Sequence, residues 1–279
     1  MSPVILIATL ISYLAVLFWI AKVGDRYKFS DAGWPRHPLI YTFALGVYCT
    51  SWTFYGLVGT AALSGWHYLP ILLGPVITFT FGFPLLQRIS TICRREHIHS
   101  IADFISSRYG KRQSVAAIVT LLLLVATVPY IALQLKAVTD TLIFVVDGAA
   151  FASQDTTMFV AAAMILFTLI FGTNRLNVAS YHSGIMATIA FESLVKLIAL
   201  VSVAIFALSL SKGFDPSVLS NSANIVFSRT TLTPSFWVLT LVSAAMTFCL
   251  PRMFQVTFVE CLSDRHYVSH VWASAFTLC

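Results

Sequence analysis

The chain has 279 residues, of which 58% are hydrophobic and only 10% charged, with a mean hydropathy of +0.85. Soluble domains carry about 25% charged residues, so this chain has too little charge to cover a soluble surface of its size, and lipid becomes the expected solvent. The net charge of +6 sits in short loops between apolar runs, where it orients a membrane protein, and a nucleic-acid partner has no support beyond it.

The first apolar run, Pro3–Ala21, has no Lys or Arg ahead of it and no small-residue cleavage site behind it. It reads as a retained first helix rather than a signal peptide. Further runs follow at 39–63, 66–86, 114–146, 158–172, 184–210 and 234–250, and an eighth opens at 267 and is cut off at Cys279. Run 158–172 is short, whereas 114–146 is long enough to require a tilt or a kink at Pro129. Seven spans with an outside N-terminus place 13 of the 17 Lys and Arg in inside loops, at 22–38, 88–113, 173–183 and 251–270. Only Lys212 and Arg229 fall outside, a split that fits the positive-inside rule.

Span two contains CTSWTFYGLVG, Cys49–Gly59, with three hydroxyls beside two glycines. A helix that only met lipid needs no such cluster. Glycine lets a helix unwind, and the freed carbonyls suit a small cation, while Trp52 and Tyr55 offer a wall for an organic solute. Taken with the family resemblance drawn below from this and three other stretches, the cluster predicts an interruption of the span near Gly46–Ser51. Close helix packing through small residues is the alternative. In the basic loop, Ser100-x-x-Asp103 predicts a capping box that opens a short amphipathic helix carrying Ile101, Phe104 and Ile105 on one face.

Two charged pairs lie inside spans at i, i+4 spacing: Lys136 with Asp140, and Glu192 with Lys196. Each can neutralise itself on one helix face, the Glu-before-Lys pair better. Pro251, where span seven meets its basic end, reads locally as a helix terminator, and as a break near a solute path in the alternative. The five cysteines form no C-x-x-C pair, and His97-x-His99 has no ligand at metal-binding spacing. Hydrolase, metalloprotease, P-loop and dinucleotide motifs are absent, and no enzyme is expected.

CTSWTFYGLVG, the loop HSIADFISSRYGK, PYIALQLKAV (Pro129–Val138) and PRMFQVTFVE together resemble the sodium/solute symporter family, most of all the symporter-like membrane half of bacterial sensor histidine kinases. The resemblance implies an all-α integral membrane protein: a LeuT-type inverted-repeat helix bundle whose first repeat is complete and whose second is incomplete. It implies a sodium ion (Na+) on backbone oxygens of Gly46 and Cys49, and a small organic solute, an amino acid, beside Ser51, Trp52, Gly56 and Pro251. The chain differs from the sodium/proline branch at Tyr48, where an aspartate is expected, and at Ser243 and Thr247, where aromatic residues are expected. The implied function is symport across the bacterial inner membrane; the alternative is solute sensing for a downstream kinase module. With one full span and a fragment of the second repeat, residues 1–279 alone are expected not to carry sodium-coupled uptake.

Overall fold

The computed structural model describes residues 3–26, 38–145, 158, 160–162, 165, 183–211 and 233–260. Among them there is no strand. Expected run 158–172 is described at only five positions, and the run opening at 267 lies outside the described residues.

Helix α1 spans Pro3–Arg26 and α2 spans Pro38–Leu45, followed by a 3-10 turn at Gly46–Tyr48. Helix α3 runs Ser51–Ser64, a second 3-10 turn covers Gly65–Tyr68, and α4 runs Leu69–Phe81. Next come α5 (Phe83–Arg95), α6 (Ile101–Arg108) and α7 (Gln113–Val145). Helix α8 spans Ser183–Ser211, α9 Pro234–Cys249 and α10 Pro251–Phe254, the last continuing into a π-helical turn at Gln255–Val259.

Three runs are long and apolar enough to cross a membrane: Tyr55–Phe81, Gln113–Val145 and Gly184–Ser211. Pro234–Cys249 and Pro251–Val259, bent by 59°, make a fourth if they form one span. Ile11–Gly24 and Leu39–Tyr48 are shorter apolar helices. Tyr55–Phe81 crosses the expected boundary between spans 39–63 and 66–86; at that boundary Gly65 takes φ 58°, a conformation that costs glycine little. Helix α7 carries Pro129 inside a single run of 33 residues, about 50 Å at 1.5 Å per residue, so it exceeds a hydrocarbon core of roughly 30 Å. Its outer face is apolar and exposed at Leu121, Leu122, Val125 and Val128, as a lipid-facing helix requires.

The core joins α2, α4, α5, α8 and the segment after α9 through Leu45, Phe79, Leu86, Met186, Met253 and Phe258. Helices α4 and α9 pack along each other, as do α1 and α2 against α8. The α4–α9 contact depends on Gly74: a Cβ there would lie 2.5 Å from the Ala244 nitrogen and 2.6 Å from Ser243 Cβ. Two backbones can approach this closely only where one residue has no side chain. At Gly59 a Cβ would meet nothing within 4 Å, so packing through small residues does not account for that glycine.

The basic loop forms its helix. Ser100 caps α6 by accepting from the Asp103 amide at 3.1 Å, and Ile101 is buried. Lys111 and Glu96 pair across the loop at 3.4 Å. The expected pair of Lys136 and Asp140 is a correction: both side chains are exposed, and among the described residues no ion pair joins them. Lys before Asp is the weaker orientation at i, i+4, and the short Asp arm reaches poorly along a helix.

Candidate functional site at two helix breaks

Span two is broken where its hydroxyls cluster. After the 3-10 turn, Cys49 (φ −77°, ψ 115°) and Thr50 (φ −117°, ψ 179°) are extended, and α3 starts again at Ser51. The break sits against α8, and Gly46 allows the approach, since a Cβ there would lie 2.9 Å from Ser193 Cβ and 3.0 Å from its Oγ. The Gly46 carbonyl accepts from the Cys49 amide at 3.0 Å. Thr53 Oγ1 takes the Thr50 amide at 3.0 Å, and Gln134 Nε2 of α7 donates to Thr50 Oγ1 at 3.2 Å.

A broken helix leaves carbonyls at its C-terminal end without intrahelical donors, where the dipole concentrates negative charge. Here two basic side chains reach them. Lys196 Nζ of α8 donates to the Cys49 carbonyl at 3.2 Å, and Arg252 Nη2 donates to the Tyr48 carbonyl at 3.4 Å. Lys196 also pairs with Glu192 at 2.5 Å, so that expected pair forms and in addition caps the break.

The second break faces the first. Leu250 (φ −72°, ψ 122°) interrupts the chain, and Pro251 opens α10 at 59° to α9. Pro251 therefore does more than terminate a helix: its fixed φ suits the first residue of the next one. Arg252 lies 4.9 Å from the centre of the Tyr130 ring, a cation–π distance. Tyr41 donates to the Thr257 carbonyl at 2.9 Å, tying α2 to the π-helical turn. Tyr48 and Ser243 form a third link, their hydroxyls 3.0 Å apart.

Four buried polar atoms around these breaks have no hydrogen-bond partner among the described residues: Thr247 Oγ1, Thr257 Oγ1, Tyr130 Oη and Arg252 Nε. Thr247 stands one helical turn before Pro251 and is 0% exposed. Leaving such a group unpaired costs about 1–3 kcal/mol, and a polar ligand would remove that cost.

The sequence-expected residues divide between the two breaks. Gly46 and Cys49 form the first, and Gly56 lies half-buried on α3 beyond it. Ser51 and Trp52 open α3, and their side chains lie outside the described residues. Pro251 is exposed and lines a cavity of about 420 Å³ with His99, Ile101, Thr127, Ile131 and Gln255. Sequence reasoning gave no role to Tyr130 and Gln134, although both belong to the Pro129–Val138 stretch singled out there, nor to Tyr41 or Thr257. A hydroxyl or amide in a lipid-facing run was the available signal for Tyr130 and Gln134.

The implied sodium position does not fit these surroundings. The Cys49 carbonyl already accepts from the Lys196 ammonium, whereas the Gly46 carbonyl accepts one amide and keeps a second lone pair. Among the described residues no cluster of three His, Cys, Asp or Glu side chains supplies a metal site elsewhere. Compared with protein-family models, curated proteins and solved structures, the chain matches none.

Proposed function

We propose that this chain is a transmembrane transport domain of the sodium/solute symporter type, which binds a small organic solute, an amino acid, where its two broken helices meet. The observation that carries this reading is the pairing of the breaks: Arg252, just after the second, reaches the Tyr48 carbonyl at the first. Broken helices that face each other inside an apolar bundle offer carbonyls from one half-helix and amides from the next. A zwitterion uses both. Its carboxylate suits the start of α3 and the free Nε of Arg252, and its ammonium suits hydroxyls such as Thr247 Oγ1.

The chemistry required is binding and release, with no covalent step. Solute is exposed to one side and then the other as the elements carrying the breaks rock against their neighbours. The domain is placed in the bacterial inner membrane with its N-terminus outside, in keeping with the basic loop around α6 on the inside.

The test is solute binding by the purified chain in lipid nanodiscs, read as a thermal shift across the twenty common amino acids. One or a few related amino acids should stabilise the protein saturably, and Thr247→Val should weaken that effect. Absence of a shift with every amino acid, in a protein that unfolds cooperatively, would overturn the reading.

A further inference from the structure

We propose that the resident cation at the first helix break is the chain's own Lys196 ammonium, so that no sodium ion binds there. The proposal rests on the transport reading only for the place of the solute. The Cys49 carbonyl lies at the C-terminal end of the α2 half-helix, where backbone dipoles favour a cation. Lys196 Nζ occupies that position at 3.2 Å, delivered by α8, the helix against which α2 packs. The register is fixed by a contact: Gly46 meets Ser193, and Lys196 stands almost one turn further along the same helix.

Charge balance points the same way. The charged side chains that contact the first break, directly or through Lys196, are Glu192, Lys196 and Arg252, one negative and two positive, while Glu260 lies buried at the end of the π-helical turn and accepts from Gln255 Nε2 at 3.3 Å. Glu192 is engaged by Lys196, so no uncompensated carboxylate remains there to draw in a metal ion. A sodium ion on the Cys49 oxygen would need a ligand distance of about 2.4 Å, as hard cations do with oxygen, and would sit within a few ångströms of the ammonium on the same atom. The two positive charges exclude each other. The surplus positive charge suits instead a solute that brings its own carboxylate.

The test measures binding of radioactive sodium to the purified chain in nanodiscs, with thermal unfolding in sodium chloride and in choline chloride of equal ionic strength. Wild type should bind no sodium saturably and should unfold at the same temperature in both salts. Lys196→Met removes the ammonium while Glu192 and the Cys49 carbonyl remain, and it should gain the saturable sodium binding that wild type lacks. Lys196→Arg keeps a cation and should stay insensitive to sodium. Saturable binding to wild type overturns the proposal, as does a folded Lys196→Met protein that gains none. If Lys196→Met does not fold, the wild-type measurement decides alone. Amino-acid binding in choline separates the two readings. Solute binding only with sodium overturns this proposal and leaves the transport reading intact. No solute binding in either salt, with no sodium bound, overturns the transport reading and leaves the cation assignment standing.

Discussion

The Tyr48 hydroxyl lies 3.0 Å from Ser243 Oγ, and both reach the Ile71 carbonyl, at 3.1 and 2.9 Å. These are two of the positions at which the family pattern expected from the sequence has other residues. An aspartate and an aromatic residue would give a charge beside a ring. Tyrosine and serine instead give two neutral hydroxyls that satisfy each other and a backbone oxygen. Two hydrogens serve three contacts, so one contact at any instant is made without its own proton. The link joins the first break to α4 and α9, the pair of helices that leads into the second break.

Removing either hydroxyl should therefore cost stability, and removing both should cost less than the sum. Tyr48→Phe and Ser243→Ala are each expected to lower unfolding free energy by about 0.5–1.5 kcal/mol, with a coupling of about 0.6 kcal/mol in the double variant. Unfolding in mixed micelles measures this. Strict additivity would show that the two hydroxyls do not act as a pair.

Gly74 and Gly59 should respond oppositely to alanine. At Gly74 the new methyl would strike backbone of α9, with contacts of 2.5–2.7 Å, and neither helix can yield by turning a side chain. Gly74→Ala should destabilise by about 1–3 kcal/mol, the usual cost of overpacking. At Gly59 the methyl enters open space, and alanine's better helix propensity should leave stability unchanged or raised by up to about 1 kcal/mol. Parallel thermal unfolding of the two variants checks this, and equal effects would contradict the α4–α9 approach.

The break in span two was legible only in part from local signal: hydroxyls and glycines between Gly46 and Gly59 fit close packing as well as a break, and the resemblance tipped the expectation toward a break. The α6 cap was legible locally, since Ser100 and Asp103 are three residues apart. Pro251 was less so. Proline ends one helix or begins the next with the same residue, and only the bend that places Arg252 by Tyr48 distinguishes the two. Lys196 drew attention as an intramembrane charge, and its neighbour Glu192 seemed to account for it. Its second contact, to a carbonyl 147 positions earlier in the chain, is fixed by the packing of α2 on α8, which no local spacing encodes. Lys136 and Asp140 show the converse, a spacing that permits a pair the fold does not use.

Cys93, on the basic end of α5, is 2% exposed, and burial pushes its thiol up to about 11 from an ordinary 9.0. It should stay a neutral thiol and resist maleimide at pH 7–8 until the protein unfolds. The folded value is the higher one, so the folded state holds this proton more tightly. Its contribution to stability is complete below pH 9 and is lost as pH rises through 11. Cys93→Ala should flatten the fall in melting temperature over that window. A wild-type thiol that labels in the folded state at pH 7 would refute the burial.

Ser107 sits on α6, half-buried, with its hydroxyl bonded to the Phe104 carbonyl at 2.7 Å. In the proposed orientation the basic loop around it lies on the cytoplasmic side, as the positive-inside rule favours. A Ser107→Cys variant on a background lacking the native cysteines should label with membrane-impermeant maleimide only after the cytoplasmic side is opened. Labelling from outside in intact cells would invert the topology.

Arg252 offers the most direct test of the paired breaks, because it makes two different contacts at once. Its guanidinium donates to the Tyr48 carbonyl at 3.4 Å and lies 4.9 Å from the Tyr130 ring centre. Lysine can replace the charge but not the planar fork that serves both. Arg252→Lys should therefore retain the fold and lose part of the link, at about 0.5–2 kcal/mol for the desolvated cation–π contact. Arg252→Gln keeps a donor but loses the charge that an incoming carboxylate would meet. In the thermal-shift assay, Arg252→Gln should weaken solute binding more than Arg252→Lys, while Tyr130→Phe should keep the ring contact and leave basal stability near wild type. The Tyr130 hydroxyl, buried and without a partner, is then read separately: if it faces the solute, Tyr130→Phe reduces affinity without reducing stability. Equal solute binding by Arg252→Gln and wild type would place the carboxylate elsewhere and separate Arg252 from the solute site.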